Sequence, residues 1–184
     1  MLLSTAVKDL FLRELCMDDL EGFYSWQNDP EIAANFAFTR LPRTLEEARK
    51  ILAAIVEGHV RDSVHLAVVL RSGEAPSEEF LGVASLKNIS PLDRHAEFAI
   101  VMGARRHMRK GYGKAAALRI IRYGFHTLNL RKVYLSVLGC NETAIHLYEG
   151  LGFRREGLFR EHLFREGIYE DLVWYSLLKE ELRE

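Results

Sequence analysis

Cysteine is scarce in this 184-residue chain: only Cys16 and Cys140 occur, too few for a disulfide scaffold. Neither lies in a Cys/His spacing that would hold a metal, so no metal site is expected. Long hydrophobic runs are missing too. Residues 51–56 and 66–70 are among the longest, far short of the roughly 20 residues that cross a bilayer. Residues 1–7 are apolar, but they lack a charged start and run at once into Lys8-Asp9, which makes a poor signal peptide. There is no excess of charge of one sign. The 25 basic and 26 acidic side chains leave a net charge of −1, which excludes a global pull toward nucleic acid or an acidic membrane. With four prolines and no repeat, linker or low-complexity stretch, residues 1–184 are expected to form one cytoplasmic domain. What the chain does have is apolar material, 48% of its residues, enough for a full core.

Periodicity predicts the elements. Residues 10–15 alternate as a strand, and Met17-Asp18 opens a helix through Leu20, Phe23, Tyr24 and Trp26 that Asn28-Asp29-Pro30 closes as a turn. Thr44 and Glu47 form a capping box for a second helix, with Ala48, Ile51, Leu52 and Ile55 on its apolar face. Residues 64–70 and 80–87 read as a hairpin around a polar turn, and 97–102 as a further strand. A helix over 113 to about 128 places Leu118, Ile121, Phe125 and Leu128 on one face. A strand over 132–138, a helix over 142 to about 150, and strands over 153–164 and 167–178 complete the chain. The order predicts an α/β (α+β) fold with a central mixed, mostly antiparallel sheet of about seven strands flanked by helices. The strand at 97 and the strand at 132 would be parallel neighbours, joined by the 113–128 helix as crossover.

The segment His107-Met-Arg-Lys-Gly-Tyr-Gly-Lys-Ala-Ala-Ala117 joins a basic run to two glycines and a helix-forming stretch. Glycine lets amides approach a bulky ligand, and a helix start offers unpaired donors at a positive dipole end, so the segment is built for a phosphate-like anion. Gly111, Gly113 and Ala116 fit the dinucleotide pattern G-x-G-x-x-A. However, a basic spacer separates them from the strand, and residues 133–138 contain no acid to hold a ribose. The phosphate-loop pattern fails because Met108 stands where its first glycine would be.

Met108-Arg-Lys-Gly111-Tyr-Gly113 resembles the donor-binding loop of the GNAT superfamily of acyl-CoA-dependent N-acetyltransferases, with Met108 in place of the usual Arg or Gln. Asn141-Glu-Thr-Ala-Ile-His-Leu-Tyr148-Glu-Gly-Leu-Gly152-Phe153 resembles the same family's Asn-x-x-Ala-x-x-x-Tyr-x-x-x-Gly-Phe segment. The two lie about 30 residues apart across a strand, and residues 26–31 and 160–178 look like the RimJ/RimL-type branch. The resemblance implies that acetyl-CoA is the acyl donor. Its pyrophosphate would be wrapped by the amides of Arg109, Lys110, Gly111, Tyr112, Gly113 and Lys114, with Arg105 and Arg106 adding charge nearby. Its pantetheine arm would run beside Val101, Met102 and Gly103, and the two parallel strands would part around it.

Tyr148 is implied to be the general acid that protonates the departing CoA sulfur, an effect of roughly 10²–10⁴-fold. As a bare residue it reads more often as an aromatic core position. Asn141 reads both as a cofactor contact and as a helix cap. A lysine-like amine costs roughly 4–5 kcal/mol to neutralise at pH 7, so a base is needed; Glu97, at the start of its strand, is the candidate, against a reading as surface charge. Cys140 lacks a histidine partner and reads as a buried small residue. Trp26, Asp29, Glu31, Phe36 and Phe38 would wall the acceptor cleft, with Glu161, His162, Tyr169, Glu170 and Asp171 opposite. The acceptor is expected to be a primary amine: a protein N-terminus, a polyamine, an aminoglycoside or an amino sugar. The alternative is a non-catalytic acyl-CoA sensor. Strands at the chain end are placed to pair two subunits as a homodimer.

Overall fold

The computed structural model describes residues 1–36, 44–71, 78–165 and 167–182. They form strands β1 (Leu2–Ser4), β2 (Leu10–Glu14), β3 (Val64–Arg71), β4 (Glu78–Ser90), β5 (His95–Met102), β6 (Lys132–Leu138), β7 (Arg154–Arg165) and β8 (Ile168–Leu178). The helices are α1 (Leu20–Gln27), α2 (Pro30–Ala33), α3 (Leu45–Val56), α4 (Tyr112–His126) and α5 (Glu142–Leu151). All eight strands join one sheet in the order β1-β2-β3-β4-β5-β6-β8-β7, in which β5–β6 is the parallel pair.

The eighth strand is the one that periodicity does not reveal. Leu2–Ser4 is too short for a pattern, but it pairs antiparallel with β2, with Leu3 opposite Leu12 and buried. The turn read at residues 28–30 does close α1 at Gln27, with Asn28 as its cap, and it leads directly into a short helix that periodicity does not reveal, α2. Asp29 caps α2, accepting from the Glu31 and Ile32 amides at 3.0 and 3.3 Å, and Pro30 stands at its first position, where no amide is needed. The capping box of α3 forms as read, with Thr44 N–H donating to Glu47 at 2.8 Å and Glu47 N–H donating to Thr44 at 3.2 Å.

Alternation along the strands builds two layers. On one face α1, α2 and α3 set Phe23, Trp26, Ile32 and Leu52 against Ala67, Val69, Val83 and Val101. On the other face α4 and α5 cover Leu86, Phe98, Val133 and Leu135. The inward side of α4 is Ala116, Ala117, Ile120, Ile121, Gly124 and Phe125. Leu118 is only partly buried, so the buried stripe is turned from the one expected. The small residues explain it. A Cβ on Gly124 would sit 2.9 Å from Leu86, so this face alone lets the helix lie close on β4.

One buried ion pair fixes the entry to the first layer. Asp19 is 3% exposed, and Arg13 grips both of its oxygens at 2.8 and 2.9 Å while the Cys16 amide donates to it at 2.9 Å. The carboxylate thereby ends β2 and starts the turn into α1.

Candidate active site

β5 and β6 are registered over three pairs only, ending at Glu97↔Tyr134. Beyond that point β5 keeps β4 as its neighbour and β6 keeps β8, so the two strands part in the middle of the sheet. Residues 98–102 thus present a strand edge inside the sheet, open toward β6. Val101 and Met102 lie along this edge. The Gly103 amide does not stay open, because it donates to the Leu81 carbonyl of β4 at 2.7 Å. Its glycine has another reason: a Cβ there would come within 2.8 Å of Trp26 Cβ.

The gap leads to the start of α4. The backbone is left-handed at Arg109 (φ 61°) and again at Gly111 (φ 80°), which caps the helix. Among the described residues, no acceptor meets the amides of residues 109–114. Six consecutive donors therefore line a concave turn at a positive helix end. A Cβ on Gly111 would meet nothing within 4 Å, and one on Gly113 only Met102 at an ordinary 3.5 Å, so space remains above both glycines. These features fit a diphosphate.

The basic side chains divide sharply. Arg105 is bound to Asp29 at 2.9 Å and to Glu31 at 2.7 Å, and Arg106 to Glu79 at 2.8 Å. Both are therefore engaged by carboxylates far away in sequence. Arg109, Lys110 and Lys114 are exposed and make no ion pair among the described residues.

α5 brings the second motif to the gap from below. Tyr148 is 8% exposed, its ring edge-on to Phe98 at 6.2 Å and beside Phe153 at 5.8 Å. Phe98 is the first β5 residue past the parting point. The Tyr148 hydroxyl has no hydrogen-bond partner among the described residues, and burial pushes its pKa up to about 12. Asn141 holds two posts. Its Oδ1 accepts from the Ala144 amide at 3.1 Å, capping α5, and its Nδ2 donates to the Asn35 carbonyl at 3.3 Å, tying the two layers together. Glu97 accepts from Lys87 Nζ at 3.1 Å and from Asn88 Nδ2 at 2.9 Å, so both of its oxygens are engaged. Cys140 is exposed rather than buried, in the turn after β6. Desolvation and the neighbouring Glu170 raise its thiol pKa, which leaves it a poor nucleophile.

On the α1–α3 face a chamber of about 950 Å³, its open mouth included, lies over β3, β4 and β5. Its walls are Phe23, Trp26, Phe36, Ile51 and Ile55; its floor is His65, Val83, Ser85, Lys87, Ala99 and Val101. Trp26 and Phe36 are therefore where the acceptor wall was expected, in edge contact at 5.4 Å. Asp29 and Glu31 are held at the Arg105 clasp, and Phe38 lies outside the described residues. The hairpin residues do not reach the chamber. Asp171 accepts from the Glu161 amide at 2.8 Å, while His162 packs on Phe159 and Tyr169 on Phe164. His65, Ser85 and Lys87 escape a reading of the sequence. They sit on alternate positions of strands whose dominant signal is apolar, and only the register of β3 on β4 unites them.

The model of the acetyltransferase (GNAT) domain family matches residues 9–154. The spermidine N(1)-acetyltransferase of Vibrio cholerae serotype O1 is 31% identical over 148 residues, 80% of each chain. An uncharacterized N-acetyltransferase, p20, of Bacillus licheniformis is 28% identical over 174 residues, 94% of each. The crystal structure of spermidine N-acetyltransferase from Vibrio cholerae in complex with CoA and spermine superimposes with a TM-score of 0.83 at 28% identity, covering 95% of this chain and 98% of that one. With the sheet parted beside an amide cradle, the chain belongs to the GNAT acetyltransferase family and is an N-acetyltransferase with acetyl-CoA as its acyl donor.

Proposed function

We propose that this enzyme acetylates a primary amine of a small aliphatic polyamine held in the chamber. The observation that carries the reading is the sequence of open features along one path. Six unpaired amides at α4 lead to the free edge of β5, and Ala99 and Val101 of that strand form part of the chamber floor. The donor would lie along the edge, with its diphosphate on residues 109–114 and Lys110 or Lys114 beside it. The thioester would then face Tyr148 on one side of the sheet and the chamber on the other. Apolar walls suit methylene chains, and the spermidine-acetylating relatives support the polyamine class. Motifs at 26–31 and 160–178 support a RimJ/RimL-like ancestry. Nothing supports the sensor alternative, since Tyr148 and both glycines are in place. Two free cysteines suit a reducing, cytoplasmic setting. Exposed Phe164, Ile168 and Tyr169 on the terminal hairpin support pairing with a second copy.

Chemically, a neutral amine attacks the thioester carbonyl, a β5 amide holds the developing oxyanion, and Tyr148 assists the departing sulfur. The test is thiol release from acetyl-CoA with spermidine, spermine, an aminoglycoside, an amino sugar and a peptide with a free N-terminus. Spermidine or spermine should give the highest kcat/KM. Preference for the peptide would replace the acceptor class, and no turnover with any amine would overturn the reading.

A further inference from the structure

Among its described lining residues the chamber has two titratable side chains, His65 and Lys87. Lys87 is spent on Glu97, and Glu97 in turn holds Asn88 as well. His65 is differently placed. It stands opposite Ser85 across the β3–β4 ladder, with Nδ1 2.8 Å from Ser85 Oγ. Ser85 in turn stands opposite Ala99 on β5, the second residue past the point where β5 and β6 part. A single transverse row, His65–Ser85–Ala99, therefore runs across the chamber floor to the edge of the gap.

We propose that His65 is the base that takes a proton from the acceptor ammonium, oriented by Ser85. The assignment rests on the acetyltransferase reading above and moves the base from Glu97 to a residue with a free nitrogen. With the hydrogen on Nδ1 donated to Ser85 Oγ, Nε2 carries a lone pair and has no partner among the described residues. The charges around it keep it neutral. Burial depresses the imidazole pKa first, Lys87 on β4 adds to that, and Asp62 before β3 opposes it weakly. Glu97 on β5 acts on this balance through Lys87, and the residues that α1, α2 and α3 contribute to the chamber are uncharged. His65 is thus a free base at neutral pH.

The step balances. One N–H bond of the ammonium breaks and its proton goes to His65 Nε2, later to solvent. The freed lone pair forms the C–N bond and the C–S bond breaks. The attacking nitrogen then loses a second proton, which ends on the departing sulfur while Tyr148 holds it by a hydrogen bond, so the products are amide, thiol and one solvent proton.

The test uses the full chain and the best amine of the panel, with kcat/KM followed from pH 5 to 10. The wild type should show an acid limb below the ordinary imidazole value of about 6.5. His65→Gln should lose that limb and fall roughly 10²-fold at pH 7, recovering as the pH approaches the amine's own pKa. Acetyl-CoA affinity and melting temperature should hold. An equal rate loss at every pH, an unchanged profile, or loss of the limb in Glu97→Gln but not in His65→Gln would overturn the proposal. Without any variant, the His65 imidazole resonances of the wild type should titrate at the midpoint of the limb, and a mismatch overturns it equally. A wild type that acetylates no amine sinks the underlying reading and this one with it. An active wild type with an unaltered His65→Gln sinks this one alone.

Discussion

Replacing Tyr148 by phenylalanine removes one oxygen from a ring that is otherwise packed against Phe98 and Phe153. The hydroxyl has no partner among the described residues, so the fold loses no hydrogen bond and the melting temperature should stay the same or rise slightly. The cost falls on the reaction. A pKa of about 12 keeps the phenol protonated throughout the working range. Full transfer to a thiolate of pKa about 8.5 would run uphill by about 3.5 units, or about 5 kcal/mol, so the role proposed for Tyr148 is to donate a hydrogen bond to the departing sulfur rather than to become tyrosinate. A hydrogen bond to charge is worth roughly 1.5–3 kcal/mol, which converts to a kcat lower by roughly 10- to 150-fold. Thiol release gives kcat, calorimetry gives the acetyl-CoA Kd, and a thermal melt gives stability. The Kd should not move, and no alkaline limb from this residue should enter below about pH 11. A kcat within twofold of wild type would refute the role. A drop of several degrees in melting temperature would refute the claim that the hydroxyl is unpartnered.

Two further substitutions probe the frame of the site. Asp19→Asn leaves the Arg13 guanidinium short of its main partner and should cost about 3 kcal/mol, lowering the melting temperature by roughly 6–12 °C; an unchanged melt would show the pair to be dispensable. Gly82→Ala would drive a Cβ into the Val101 carbonyl oxygen on the free-edged strand, whereas Gly150→Ala on α5 meets nothing within 4 Å. The first should destabilise by about 1–3 kcal/mol and weaken acetyl-CoA binding, and the second should stabilise slightly. Equal effects of the two would discredit the close packing of β4 on β5.

What could be read from the residues alone were features with local causes. Gly111 and the helix that follows it announce a turn of open amides because left-handed caps and unpaired amides are properties of a few consecutive residues. The seven-residue spacing of Asn141 and Tyr148 likewise puts both on one short helix. Features made by register stayed hidden. His65 lies inside a run that reads simply as buried strand, and Ser85 is 20 residues away until β3 and β4 align them. Arg105 and Arg106 read as free charge near the turn because nothing local competes for them; Asp29 and Glu79 do so only once the layers assemble. Leu2–Ser4 needed β2 beside it before three residues amounted to a strand.

The brief parallel ladder has a further meaning for the molecule as a whole. Five strands on one side and three on the other are stitched by three residue pairs, with α4 and α5 bracing the seam from one face only. Any extended chain that fills the cleft between them supplies the rungs that this seam lacks. The cohesion of the sheet and the occupancy of its cleft are therefore one quantity, and the protein is most completely a single body when it is loaded.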